Sequence, residues 1–368
     1  SLGDIPAFDV AAAHDLYGKL LQPVEAAWLN AKSLLIVADG ALGQLPFSLL
    51  PVKPVKLKRD NRLLFEGYKA VPWLAKTHSV TLLPSVASLK SLRGTRVAAG
   101  PRRPFAGFGD PYFNRPQFLS ARKTLQPFEV AAGPVQTASL RSKPATRTAG
   151  SVTIENLPRL PDTRTEIEDI AHALKADSNR DIFLGEKASE DTVKSMDLSP
   201  YRVISFATHG LVPGDLNGLS QPALALSAPS VTRGKEDGLL TMGEILGLKL
   251  NADWAVLSAC NTAAADGKGA EAISGLGRAF FYAGARALLV SNWPVHSGAT
   301  TDLMTTLFNL QARNPGLSRA ESLRRTRLHM IEKGSARVDG KTAFSYAHPI
   351  FWAPFTLVGD GGGAQSGS

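Results

Sequence analysis

Residues 254–262 read WAVLSACNT, an apolar run that stops on the only cysteine of the chain, and residues 202–210 read RVISFATHG, a run of the same design that stops on His-Gly. Uninterrupted apolar runs of this length, rich in Val, Ile and Phe, have the pattern of strands buried on both faces of a mostly parallel sheet. Ligands of an open α/β sheet bind outside the carboxyl ends of its strands. If the two runs are neighbours, His209 and Cys260 therefore meet in one cleft. A thiol near an imidazole loses its proton more readily, and the imidazole can return that proton to a leaving group. From position 209 to position 260 is 51 residues, room for a crossover between parallel strands. A second reading stands beside this one: a strand-end cysteine is also a common small core hydrophobe.

Outward from these runs, the chain alternates strand and helix patterns. Phe105–Gly109 reads as a first core strand, followed by a turn at Asp110-Pro111, and Asp162 or Thr163 as the cap of a helix through Ala173. Asp181–Leu184 reads as a strand, Ser189 as the cap of a helix to Met196, and Thr241 as the cap of one to Leu248. A helix over 270–283 ending at Gly284, a strand over 286–293, helices over 300–312 and 318–332 and a closing strand over 354–358 follow. Alternation of this kind predicts an α/β fold with a doubly wound, mostly parallel sheet flanked by helices.

The motifs ISFATHG (204–210), VLSACNT (256–262), GLGRAFFYAGARALLVSNWPV (275–295) and HPIFWAPFTLVGD (348–360), with LLIVADGALGQLPFSLL from residue 34, resemble the CHAT family of caspase-like cysteine peptidases, relatives of separases and caspases. A His about 50 residues before the nucleophile is also a caspase pattern. The resemblance implies a caspase-like core preceded by a smaller N-terminal subdomain. It implies Cys260 as nucleophile, His209 as general base, and the backbone N–H groups of Gly210 and Cys260 as an oxyanion hole. The strand after the nucleophile would pair with extended substrate, which makes Ser291, Asn292 and Trp293 candidates for the S1 wall; Trp293 is equally suited to packing. Where many members carry aspartate after Trp-x-Val, this chain reads Trp293-Pro294-Val295-His296-Ser297. A pocket for a cationic P1 residue needs a buried carboxylate. Glu271, Asp215 and Asp266 are the candidates, each also at home as a surface or capping group.

The expected organisation is a helical connector over 1–30, an N-terminal subdomain over 31–104, a peptidase core over 105–360 with a flexible insertion over 112–156, and a disordered tail over 361–368. Arg122-Lys123, Arg141 and Arg147 of the insertion are candidate processing sites, or parts of an unprocessed loop. One cysteine among 368 residues excludes a disulfide framework and a cysteine zinc site, and fits a reducing, cytoplasmic setting. No metal-ligand spacing and no phosphate loop is present, since Gly334 stands one residue too far from Gly340-Lys341-Thr342; no cofactor is expected. No apolar run is long enough to span a membrane.

Residues 1–150 carry 20 Lys and Arg against 9 Asp and Glu, and residues 151–368 carry 21 against 23, so the net charge of +9 belongs to the first part. Such a surplus is a solvated surface or steers an acidic partner, and no nucleic-acid motif accompanies it. The leading expectation is a Cys-His endopeptidase acting on a protein substrate and gated, as the resemblance implies, by TPR-type repeats or an activating partner. No 34-residue repeat occurs here. The alternatives are a catalytically silent scaffold of the same fold and, third, a nucleic-acid-linked module.

Overall fold

The computed structural model describes residues 5–57, 63–94, 101–124, 153–258, 268–293, 295–338 and 341–362. In chain order its strands are β1 (Ser33–Val37), β2 (Ser79–Leu83), β3 (Arg103–Gly109), β4 (Ile182–Leu184), β5 (Tyr201–Ala207), β6 (Gly210–Leu211) and β7 (Ala223–Ala225). There follow β8 (Leu239–Thr241), β9 (Trp254–Leu257), β10 (Ala287–Ser291), β11 (Ser335–Val338), β12 (Lys341–Ser345) and β13 (Phe355–Gly359). Among the described residues, eight of these form one sheet in the order β1-β2-β13-β10-β9-β5-β3-β4. All neighbours run parallel except β10 with β13. The expected α/β architecture, a large and mostly parallel sheet flanked by helices, is therefore present. Strands β1, β2 and β13 point one way and β10, β9, β5, β3 and β4 the other.

The continuous apolar runs are explained by burial on both faces. In β5 and β9, Val203, Ala207, Trp254 and Val256 join Ile167, Ile170, Leu303 and Phe308 from the helices Asp162–Leu174 and Ser297–Arg313. Ile204, Phe206, Ala255 and Leu257 point the other way, onto Val193, Leu276 and Phe280 from the helices Glu190–Ser195 and Lys268–Ala283. Each large side chain so buried contributes about 1.5–3 kcal/mol. Phe108 on β3 stacks on Phe183 of β4 at 4.9 Å and on Phe206 of β5 at 5.0 Å, a ladder that fixes the register of three strands. A Cβ at Gly107 would stand 2.7 Å from Ile167, so glycine here is what lets the helix Asp162–Leu174 settle on the sheet.

Local details depart from the sequence reading for identifiable reasons. The helix after Leu160 is capped by neither Asp162 nor Thr163: Pro161 stands at its N-cap, while Thr163 Oγ1 donates to Leu160 O and accepts from Asp110 N. The helix expected from Thr300 begins at Ser297, where His296 Nδ1 accepts from Ala299 N. Within 112–156 the described residues include a helix, Arg115–Thr124, whose Ala121 is buried. The expected sites Cys260, Asp266, Arg141 and Arg147 and most of the 361–368 tail lie outside the described residues. Arg327, in the helix expected over 318–332, is 3% exposed. Its guanidinium donates to Phe355 O, and no carboxylate meets it among the described residues. Burial lowers its pKa to about 10.

A second electrostatic feature lies beside β8. Lys194 Nζ sits 3.2, 2.7 and 2.9 Å from Glu190, Glu236 and Glu244. Burial, reinforced by the Glu244 carboxylate, pushes Glu190 up to about 8. Burial opposes ionisation of Glu244, but the Thr241 N–H, Lys194 and Glu190 outweigh it and hold that group at about 2.

Two outcomes are expected. Arg327→Met removes a desolvated cation without leaving an unpaired charge, so the melting temperature should hold or rise; a fall of more than about 5 °C would mean that the guanidinium stabilises the fold. Glu190 has a folded pKa above its ordinary 4.5, so its stabilisation is complete below that value and lost as pH rises through about 8. Glu190→Gln cannot titrate. The melting temperature of the wild type minus that of the variant should fall between about pH 5 and about pH 9, and parallel curves would contradict this assignment.

Candidate functional site

The carboxyl ends of β3, β5, β9 and β10 lie side by side, and the candidate residues sit on them or just beyond. The backbone of His209 is held where β5 gives way to β6: Ala225 N donates to His209 O at 2.9 Å, Thr208 Oγ1 donates to Ala225 O, and Gly210 pairs with Leu224. His209 is 2% exposed and its ring lies 5.4 Å from that of Phe113. Its Nε2 is 2.8 Å from Pro158 O. A backbone carbonyl only accepts, so Nε2 donates there and Nδ1 is the basic nitrogen of the neutral ring.

The carbonyl under His209 is itself fastened. Arg159, next to Pro158, makes a two-pronged contact with Asp110, Nε to Oδ1 at 2.7 Å and Nη2 to Oδ2 at 2.8 Å. Arg164 Nε reaches Oδ2 at 3.1 Å. Asp110 is fully buried immediately after β3, in the left-handed conformation with φ 50°, and its N–H donates to Thr163. The hydrogen bonds to Asp110 raise the pKa of Arg159. The Arg159 guanidinium also covers the Tyr112 ring at 4.9 Å. Sequence reading took Asp110 only as part of an exit turn and passed over Pro158, whose contribution is a main-chain oxygen.

Ser258, just past β9, is fully buried and its N–H donates to Phe206 O at 3.0 Å, so the chain runs directly beside β5 as far as this residue. Cys260 and Asp266 lie outside the described residues. Ser291 closes β10 and is fully buried. Asn292 Nδ2 donates to Thr356 Oγ1 at 2.6 Å and its N–H to Pro354 O at 2.7 Å, which ties it to β13. Trp293 directs Nε1 toward Ile350 O at 3.4 Å and packs against the core. Asp215 closes its own turn, its Oδ2 accepting from Val212 N at 2.8 Å. Glu271 falls in the helix Lys268–Ala283. The structure thus places His209 just past β5 and Ser291 at the end of β10, parallel strands with β9 between them, and places Asp215 in a turn beyond β6.

For a metal, the described residues offer one close set of carboxylates, Glu190, Glu236 and Glu244. The Lys194 ammonium already occupies its centre. Among the described residues, no helix is long and apolar enough to cross a membrane.

Comparison with known proteins adds three likenesses. Tetratricopeptide repeat protein 28 of Mus musculus is 32% identical over 122 residues, which is 33% of this chain and 4% of that protein. The separase–securin complex of Saccharomyces cerevisiae superposes with a TM-score of 0.40 at 14% identity, over 79% of this chain and 14% of that one. The Arg-specific cysteine proteinase gingipain R superposes with a TM-score of 0.40 at 10% identity, over 96% of this chain and 66% of that one. The chain therefore spans less than two thirds of each of these proteins. The CHAT domain family model matches residues 10–360, nearly the whole chain, and the protein belongs to the CHAT domain family.

Proposed function

We propose that the protein is a cysteine endopeptidase. The observation that carries this reading is the tethered His209: an imidazole at a parallel strand end, its Nε2 committed to Pro158 O, with the neighbouring strand leading to Cys260. In the reaction, the Cys260 thiol gives its proton to His209 Nδ1 and the thiolate attacks the peptide carbonyl. The imidazolium then protonates the leaving amine, and water releases the acyl group. The N–H groups of Gly210 and Cys260 bind the oxyanion. Arg159 and Asp110 are positioning residues that hold the Pro158 carbonyl where the ring needs it.

For the substrate, Ser291, Asn292 and Trp293 form the cleft wall, and Glu271 or Asp215 supplies a carboxylate toward a cationic P1 side chain. Residues 105–360 constitute the catalytic core and 31–104 its N-terminal subdomain, after a connector at 1–30. The likeness to a tetratricopeptide repeat protein supports a TPR-type region or partner as the gate on activity, with a protein as substrate. A lone thiol nucleophile is best kept reduced in the cytoplasm.

The test is cleavage of a diverse peptide pool, read by mass spectrometry, with a TPR-containing upstream region supplied. Wild type should cut, and Cys260→Ala and His209→Ala should each lose about 10³-fold or more in kcat/KM. Equal cutting by Cys260→Ala would deny Cys260 its role as nucleophile, and no cutting by any form would leave a silent scaffold as the reading. Asp110→Asn should lower kcat about tenfold with KM little changed and move the acidic limb of the pH profile, which reports the Cys260–His209 pair as a unit. An unchanged profile would deny the fastening its role.

A further inference from the structure

The opposite edge of the sheet carries a separate feature. A cavity of about 270 Å³ opens at the amino ends of β3, β5 and β9, beside Pro104, Arg202 and Trp254. β5 runs from Arg202 at this cavity to His209 at the other end. With about 3.3 Å of rise per residue, the two ends stand roughly 20 Å apart, so the cavity is distinct from the candidate active site.

Its walls combine apolar surface with an excess of cations. Leu174, Trp254, Pro315 and Leu317 supply the apolar part, and Lys175, Arg202 and Arg319 the charged part. Among the described residues the one carboxylate lining it, Asp253, is already shared by Arg102 at 3.0 Å, Arg202 at 2.9 Å and Arg286 at 3.5 Å. Behind it, Asp360 is shared by Arg319 at 2.9 Å and Arg93 at 3.3 Å. Five guanidinium groups thus divide two carboxylates. The nearby Asp177 and Asp181 are balanced by Arg103 and Arg180.

Lys175, exposed just past the helix Asp162–Leu174, makes no ion pair among the described residues. The carboxyl ends of that helix and of Ser297–Arg313 bring about half a negative charge each, which still leaves about three positive charges in excess. Burial lowers the pKa values of Arg286 and Arg319, and repulsion from Arg102 and from Arg286, respectively, adds to it. Arg202, which lines the cavity, gives Nε to Asp253, and its side chain is 48% exposed.

We propose that this cavity binds a small phosphate ester, the phosphate held by Lys175 and Arg202 and the organic group lying against Trp254 and Pro315. Guanidinium and ammonium groups together match a phosphate dianion, and an arginine fork contacts two of its oxygens. The volume suits a compact ester and is too small for a larger ligand.

The test uses titration calorimetry at constant ionic strength, with phenyl phosphate and inorganic phosphate as probes. Phenyl phosphate should bind saturably at one site and more tightly than inorganic phosphate. Lys175→Ala and Arg202→Gln should each weaken it about fivefold or more, while Lys90→Gln, an exposed charge elsewhere, leaves it unchanged. Melting curves identify any variant that fails to fold, and Lys175, being exposed and unpaired, is the variant expected to fold normally. No saturable binding up to about 10 mM would overturn the proposal, as would equal weakening by Lys90→Gln or a preference for inorganic phosphate. None of these readouts involves peptide cleavage, so the proposal stands or falls apart from the peptidase reading.

Discussion

The in-register parallel pairing of β5 between β3 and β9 is the constraint on which the rest of the structure depends. These strands are buried on both faces, so a slip by one residue would turn every side chain to the wrong core layer. The Phe183–Phe108–Phe206 stack adds a penalty for any such slip. Because the register is fixed, the positions of the strand ends are fixed too. His209 follows β5 and Ser258 follows β9 at the same edge. Arg202 and Asp253 meet at the other edge, where Asp253 N also donates to Arg202 O at 2.7 Å. One pairing pattern therefore builds both an electron-rich imidazole site and, at the far end, a cationic cavity.

At the histidine edge, the geometry depends on a buried charge as much as on the sheet. An isolated Asp110 carboxylate would be too costly to bury. Two arginines and its own left-handed backbone turn make it tolerable, and the same contact draws Arg159 and Pro158 over His209. Removing one partner of such a group typically costs about 3–5 kcal/mol because the other is left uncompensated. The ion pair thus supplies positional precision to a carbonyl that has no side chain of its own to anchor it.

Much of this was legible in the sequence, for physical reasons. Strands buried on both faces write themselves as continuous apolar runs, so the strands leading to His209 and to Ser258 could be read directly. Ser189 and Thr241 were legible as caps because a hydroxyl before a helix has a specific donor to satisfy. Pro158 was not legible, since a main-chain acceptor leaves no mark on residue type. The burial of Arg327 was not legible because helical spacing shows which residues share a face but not whether a neighbour covers it; here Phe355 of β13 does. The antiparallel seam between β10 and β13 is likewise a matter of which strands meet across long sequence separations. His296 as a cap escaped notice because histidine is seldom used there.

The central claim is that His209 activates Cys260, and the single cysteine makes it directly measurable. The rate of alkylation by iodoacetamide, followed against pH, reports the thiolate of Cys260 and nothing else, with no substrate or activator required. A working pair predicts a thiol pKa well below the ordinary value of about 8.5 in the wild type, returning toward that value in His209→Ala. Identical profiles for the two proteins, with the thiol titrating at or above about 8.5, would contradict it.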